Sequence, residues 1–126
     1  MVADFPPRPL RDIAVRHVRQ AGCPSYVAFA TLDFEPSADG AAGYAFVNVL
    51  PDETLPWEYA AALDEGVRLE LAESCAHLTV GVRVVVRAAR VHEVDSNETA
   101  FRRAGRLAVQ EALRRVSGGV SGGVSG

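Results

Sequence analysis

From Leu78 to Arg87 the chain alternates without a break: Leu78, Val80, Val82, Val84 and Val86 fall on one side, and Thr79, Gly81, Arg83, Val85 and Arg87 on the other. A period of two in β-branched residues predicts a strand with one face in the core and arginines on the other. Three shorter runs precede it. Asp12 to Gln20 alternates as a first strand, Pro24 interrupts the chain, and Ser25 to Phe34 is a second, apolar strand. The turn-forming segment Glu35-Pro36-Ser37-Ala38-Asp39-Gly40 closes it, and Gly43 to Leu50 makes a third strand. Read in order, the front half predicts a meander of antiparallel strands.

Between Pro56 and about Cys75 the period lengthens. Tyr59, Ala60, Leu63, Val67 and Leu71 recur at three- and four-residue steps, with Glu58, Asp64, Glu65, Glu70 and Glu73 on the other faces, which predicts an amphipathic helix opened by proline. A second helix, about Ser96 to Arg115, lines up Phe101, Ala104, Gly105, Ala108, Ala112 and Leu113. Most of these are small, which permits close approach to the sheet or to the first helix. The last strand, ending at His92, passes into this helix through a short polar turn. There Asp95 precedes Glu98 by three residues, a carboxylate form of the capping box, with both charges favouring the positive helix end.

The order β-β-β-α-β-α predicts an α+β domain of two layers, a four-stranded sheet and two helices. Chain handedness alone favours a right-handed crossover. Residues 1–10, with Pro6, Pro7 and Pro9, read as an extended lead-in, and residues 11–115 as the domain. From 116 to 126 Val-Ser-Gly-Gly recurs, with too little apolar surface to offset ordering entropy, and reads as a flexible tail.

Composition narrows the function. With 126 residues and 48% hydrophobic content the chain suits one domain, which at this size buries roughly two-thirds of its unfolded surface. No run of about 18 apolar residues could span a bilayer, and the prolines near Met1 leave no apolar signal core, so a cytoplasmic protein is expected. Cys23 and Cys75 lack metal-type spacing and read as reduced thiols. All 13 basic residues are arginine, and the net charge of −3 is unevenly spread. From Asp33 to Glu73 ten carboxylates accompany only Arg68, whereas from His77 to Arg115 eight arginines face four carboxylates. One basic face could therefore dock on phosphate although the chain is acidic overall.

Without lysine there is no Gly-x-x-x-x-Gly-Lys-Ser/Thr loop, so these residues should not hydrolyse GTP. His92, Glu93, Asp95 and Ser96 nominally supply a hydrolase triad, but they crowd one turn where side chains diverge, and no glycine-flanked elbow accompanies Ser96. No enzyme, cofactor or metal site is expected. His17 and His77 read as structural strand residues lacking metal-ligand spacing with His92.

The stretch His-Glu-Val-Asp-Ser-x-Glu-x-Ala-Phe, residues 92–101, resembles the signature of domain IV of bacterial elongation factor G, the translocation GTPase. Phe46-Val47-Asn48, Leu55-Pro56-x-Glu58-Tyr59, Ala62 and Gly66 resemble that domain's preceding strand and first helix, in the same order. Arg19-Gln20-Ala21-Gly22 followed by Ser25-Tyr26-Val27 is similar to a shortened form of its first hairpin. The likeness runs from about residue 11 to 115. It implies the ribosomal protein S-five domain-two-like fold, with a left-handed crossover in place of the usual hand. It also implies an arm that mimics the anticodon end of a tRNA in the decoding region, with His92 at its tip. One departure stands out: only Cys23-Pro24 separates Gly22 from Ser25, where the family carries a Gly-Arg-Gly-Gln element. The tip is correspondingly shorter and less basic.

The resemblance implies a non-catalytic partner of the small ribosomal subunit or another structured RNA. His92, supported by Arg90 and Asn97, would make the contact, and Arg83 and Arg87, joined by Arg16 of the first strand, would add a guanidinium surface on the sheet. The competing reading is a protein-recognition module with no ribosomal role, working as a homodimer or on an acidic protein partner. In either case the chain could be a fragment of a larger factor.

Overall fold

In a computed structural model, which describes residues 4–19, 26–92 and 96–117, the elements follow the expected order. They are β1 (Leu10–Arg19), β2 (Tyr26–Pro36), β3 (Gly43–Asn48), α1 (Trp57–Ser74), β4 (Gly81–Arg90) and α2 (Glu98–Ser117). Both helices cover one face of a single mixed sheet, and the other face is open.

The strand order is β1-β2-β4-β3. The expected front-half meander is therefore wrong in one respect: β3 does not pair with β2 but lies at the edge, parallel to β4. The reason lies in β4, which can be buried from both sides. Val82, Val84 and Val86 point into the core, and Val85 is also only 1% exposed on the open face. That strand takes a central place between β2, antiparallel, and β3, parallel. The parallel pairing needs a crossover, and α1 provides it.

The core joins Ile13, Val15, Ala28, Ala30, Leu32 and Phe34 of β1 and β2 to the β4 valines and to the apolar sides of both helices. The helices run in the same direction, since Tyr59 stacks on Phe101, Glu65 pairs with Arg102 and Glu73 with Arg106 in step along them. They approach closely at Gly66 and Gly105. A Cβ on Gly66 would stand 1.9 Å from the Arg102 carbonyl oxygen, and one on Gly105 would stand 2.3 Å from that of Leu63. The small residues predicted to permit tight packing thus serve the helix pair.

Both ends of the domain differ slightly from the sequence reading. The lead-in contributes to the core: Phe5 is 1% exposed, bridges to Val80, and meets Phe34 edge-on at 6.3 Å. At the other end α2 extends through Val116, which packs against the core, to Ser117. The expected flexible tail otherwise lies outside the described residues.

Candidate functional site

The topology brings the end of β4, the start of both helices and the end of β3 to one end of the molecule. His92 lies there, two residues beyond β4, with its side chain exposed. The loop that follows is closed at its neck by reciprocal bonds. The His92 N–H donates to Ser96 Oγ at 2.6 Å, and the Ser96 N–H donates to the His92 carbonyl at 2.9 Å. Ser96 is itself buried, and its carbonyl accepts from the Tyr59 hydroxyl at 3.2 Å. The Tyr59 ring stacks on Phe101 at 5.2 Å, so the neck is anchored to both helices.

This arrangement places the Ser96 hydroxyl poorly for a nucleophile. The Ser96 hydroxyl accepts a backbone N–H in a buried position, whereas a nucleophile must face substrate. Among the described residues no group of three histidines, cysteines or carboxylates gathers as a metal would require. His17 lies half-buried on β1, but His77 is exposed in the turn after α1 rather than in a strand. Cys75 is buried, and that burial, with the nearby Glu70 charge, pushes its thiol up and away from reactivity. Cys23 and the shortened first tip loop lie outside the described residues.

At the helix start, part of the expected cap lies beyond what the structure describes. Asp95, with Glu93, lies outside the described residues, and α2 begins at Glu98. Asn97 occupies the capping position, its Oδ1 accepting the Ala100 N–H at 2.8 Å. Glu98 is thus in the first turn, where its charge suits the helix end. Asn97, proposed from sequence as a ligand contact, holds the helix in place beside His92.

The predicted guanidinium surface divides into two clusters along the open sheet face. In the first, Arg83 and Arg87 face acidic partners from β2. Arg87 Nε donates to Asp33 at 2.8 Å, Arg83 donates to Glu35 at 3.0 Å, and Arg11 reaches Glu35 at 3.0 Å and Asp33 at 3.5 Å. These partners lie on β2 itself and not on the acidic helix α1, which covers the other face. The available signal was Asp33 and Glu35 at alternate positions of an otherwise apolar strand, which puts them on the open face.

Asp33 ties two irregularities together. The β1–β2 register shifts between Leu10 and Ile13, where Asp12 has φ 57° and gives its N–H to Asp33 Oδ1 at 3.0 Å. The β2–β4 register shifts beside Leu32, leaving Arg87 without a cross-strand partner and able to reach Asp33. Burial pushes the Asp33 carboxyl up, but the Arg87 and Asp12 hydrogen bonds and the charges of Arg87 and Arg11 outweigh it and hold the group below its usual value.

The second cluster lies nearer His92. Arg16, Phe29 and Arg90 stand in one row across β1, β2 and β4. The Arg16 guanidinium is 5.9 Å and that of Arg90 5.5 Å from the centre of the Phe29 ring. Arg90 was expected near His92, whereas Phe29 was not singled out. The structure therefore brings Arg90, His92 and Asn97 to one end of the fold, and leaves Arg83 and Arg87 in a separate, charge-balanced patch.

Comparison with known proteins agrees with this architecture. The family described as "Elongation factor G, domain IV" matches residues 7–117. A crystal structure of a protein from Thermus thermophilus superimposes with a TM-score of 0.65 at 21% identity. That likeness, which shows the fold, covers 86% of this chain and 17% of the longer one.

Proposed function

The chain belongs to the elongation factor G domain IV family, and from that premise we propose that it binds the small ribosomal subunit, or RNA structured like it, without catalysing a reaction. The contact is made by the end of the fold where β4 gives way to α2, through the exposed His92 side chain. One observation carries this reading: the His92 ring is exposed on a loop whose neck is fixed by Ser96 and, through Ser96, by Tyr59 and Phe101. A ring presented on a fixed neck can stack on an unpaired base or hydrogen-bond its edge at little entropic cost. Arg90 adds a cation beside it, and Asn97 acts by holding the start of α2. Arg83 and Arg87 lend less, because Asp33 and Glu35 already offset their charge. The same reading puts the protein in the cytoplasm, with ribosomes.

Its test is sedimentation with purified small subunits. The intact chain should pellet with them in a salt-dependent manner, and His92→Ala should weaken the association about five- to tenfold, the scale of one lost stacking contact. A fold-preserving His92→Ala that binds as well as the parent would sink the proposal.

One observation favours the second reading, protein recognition. Trp57 is 69% exposed, and its neighbours in sequence include Asp52, Glu53 and Glu58. A large ring among carboxylates repels phosphate and suits a protein surface with basic groups. Trp57→Ala that abolishes self-association or partner binding, while leaving subunit sedimentation unchanged, would establish that surface separately.

A further inference from the structure

We propose that the Arg16–Phe29–Arg90 row is a platform for single-stranded RNA, on which an unpaired base stacks while its flanking phosphates meet the two arginines. The inference rests on the RNA-binding reading above and shares Arg90 with it, but it centres on the open sheet face, with Phe29 and Arg16.

Three observations support it. First, the row is built by the sheet: the register sets Arg16 opposite Phe29 and Phe29 opposite Arg90, all on the face away from the helices. Cross-strand neighbours are about 4.8 Å apart, so the row spans roughly 10 Å, enough for a base and its adjoining phosphates. Secondly, the charges differ from those in the rest of the face. Arg11, Arg83 and Arg87 have Asp33 and Glu35, whereas among the described residues neither Arg16 nor Arg90 has a carboxylate at ion-pair distance. Both guanidiniums lie against Phe29 instead, which orders them without neutralising them. Thirdly, the ground beside the row is low. The next residues toward the base of the sheet are Ala14, Thr31 and Ala88, and a shallow depression of about 120 Å³ runs along Phe29, Thr31, Ala88 and Arg90.

These features select the ligand. A flat three-strand surface cannot enter a duplex groove, but it can receive bases splayed from a single strand. An aromatic ring supplies sequence-tolerant stacking, and paired cations follow the backbone. An acidic polypeptide would satisfy the arginines, yet it offers no flat base to lie against the ring and the guanidinium planes.

The test uses the full chain and a labelled ten-nucleotide oligouridine, with a duplex of the same length and polyglutamate as competitors. Single-stranded RNA should bind in preference to duplex. Phe29→Leu, which keeps apolar bulk but removes the π face, should weaken binding about tenfold, and Arg16→Gln with Arg90→Gln should flatten the salt dependence by about 0.7 per lost phosphate contact. Phe29→Trp supplies a reporter whose fluorescence should be quenched by oligouridine, a signal that a merely structural ring would not give. The proposal is overturned if the oligonucleotide does not bind, if Phe29→Leu binds like the parent, or if polyglutamate competes as well as RNA. Oligouridine binding through Phe29 without subunit sedimentation supports the platform and removes the ribosomal reading. Subunit sedimentation undiminished by Phe29→Leu, with no oligouridine binding, overturns the platform and leaves the His92 reading standing.

Discussion

Asp33 shows how one side chain can settle the character of a surface. It is 3% exposed although it points to the open face, because Arg87, Arg11 and the Asp12 backbone close around it. Its folded-state pKa is lowered, so the carboxylate stabilises the fold above its unfolded value near 3.8, and that contribution is lost as pH falls through the folded value. Asp33→Asn should lower stability at neutral pH by about 1–2 kcal/mol, a modest figure because the partner arginines are half-exposed. It should also flatten the acid limb of the stability profile below the unfolded value near 3.8, as read by denaturant titration across pH. Unchanged acid sensitivity would assign that limb to other carboxylates. Ser96 is the corresponding residue at the tip. Ser96→Ala removes the acceptor of the His92 N–H and should cost about 1 kcal/mol, with faster hydrogen exchange at His92.

Among the elements, the two helices pose a contest between propensity and geometry. Replacing a helical glycine by alanine ordinarily gains about 1 kcal/mol. At Gly66 and Gly105 the added methyl would meet a backbone carbonyl of the other helix, which cannot rotate away as a side chain could. Geometry should therefore win, and Gly66→Ala or Gly105→Ala should each destabilise by about 1–3 kcal/mol in chemical denaturation. A stabilised variant would mean that the helices are not so close. The run of small residues in α2 was legible in the sequence, and so were the number, type and order of all six elements. Two local matters were not. Strand order depends on which neighbour β3 finds after the crossover, and no local pattern encodes that choice, although the run of β4 valines hints at a central strand. The place of Asn97 was not singled out as a cap either: it stands one residue before the helix and accepts the Ala100 N–H, while Asp95, expected to cap on its spacing to Glu98, lies outside the described residues.

At the level of the whole molecule, uneven charge along the sequence becomes a division of surfaces. Much of the acid on β2 and α1 is absorbed internally, by Arg11, Arg83 and Arg87 on the open face and by Arg102 and Arg106 on α2. Among the described residues near the β4–α2 end stand a pair of arginines around Phe29, His92 two positions beyond Arg90, and the exposed carboxylate of Glu98. His92 and Arg90 were legible as candidates from sequence, through their place in the matched motif. Arg16 was legible only as a further arginine of the exposed sheet face, and Phe29 was not singled out, because their meeting depends on the register of three strands. The central claim is that this end binds the small ribosomal subunit, and sedimentation of the folded chain with purified subunits at about 50 and 200 mM salt tests it most directly. The account predicts pelleting at low salt that falls steeply at high salt and is weakened about five- to tenfold by His92→Ala. A correctly folded chain that stays in the supernatant at low salt would contradict it.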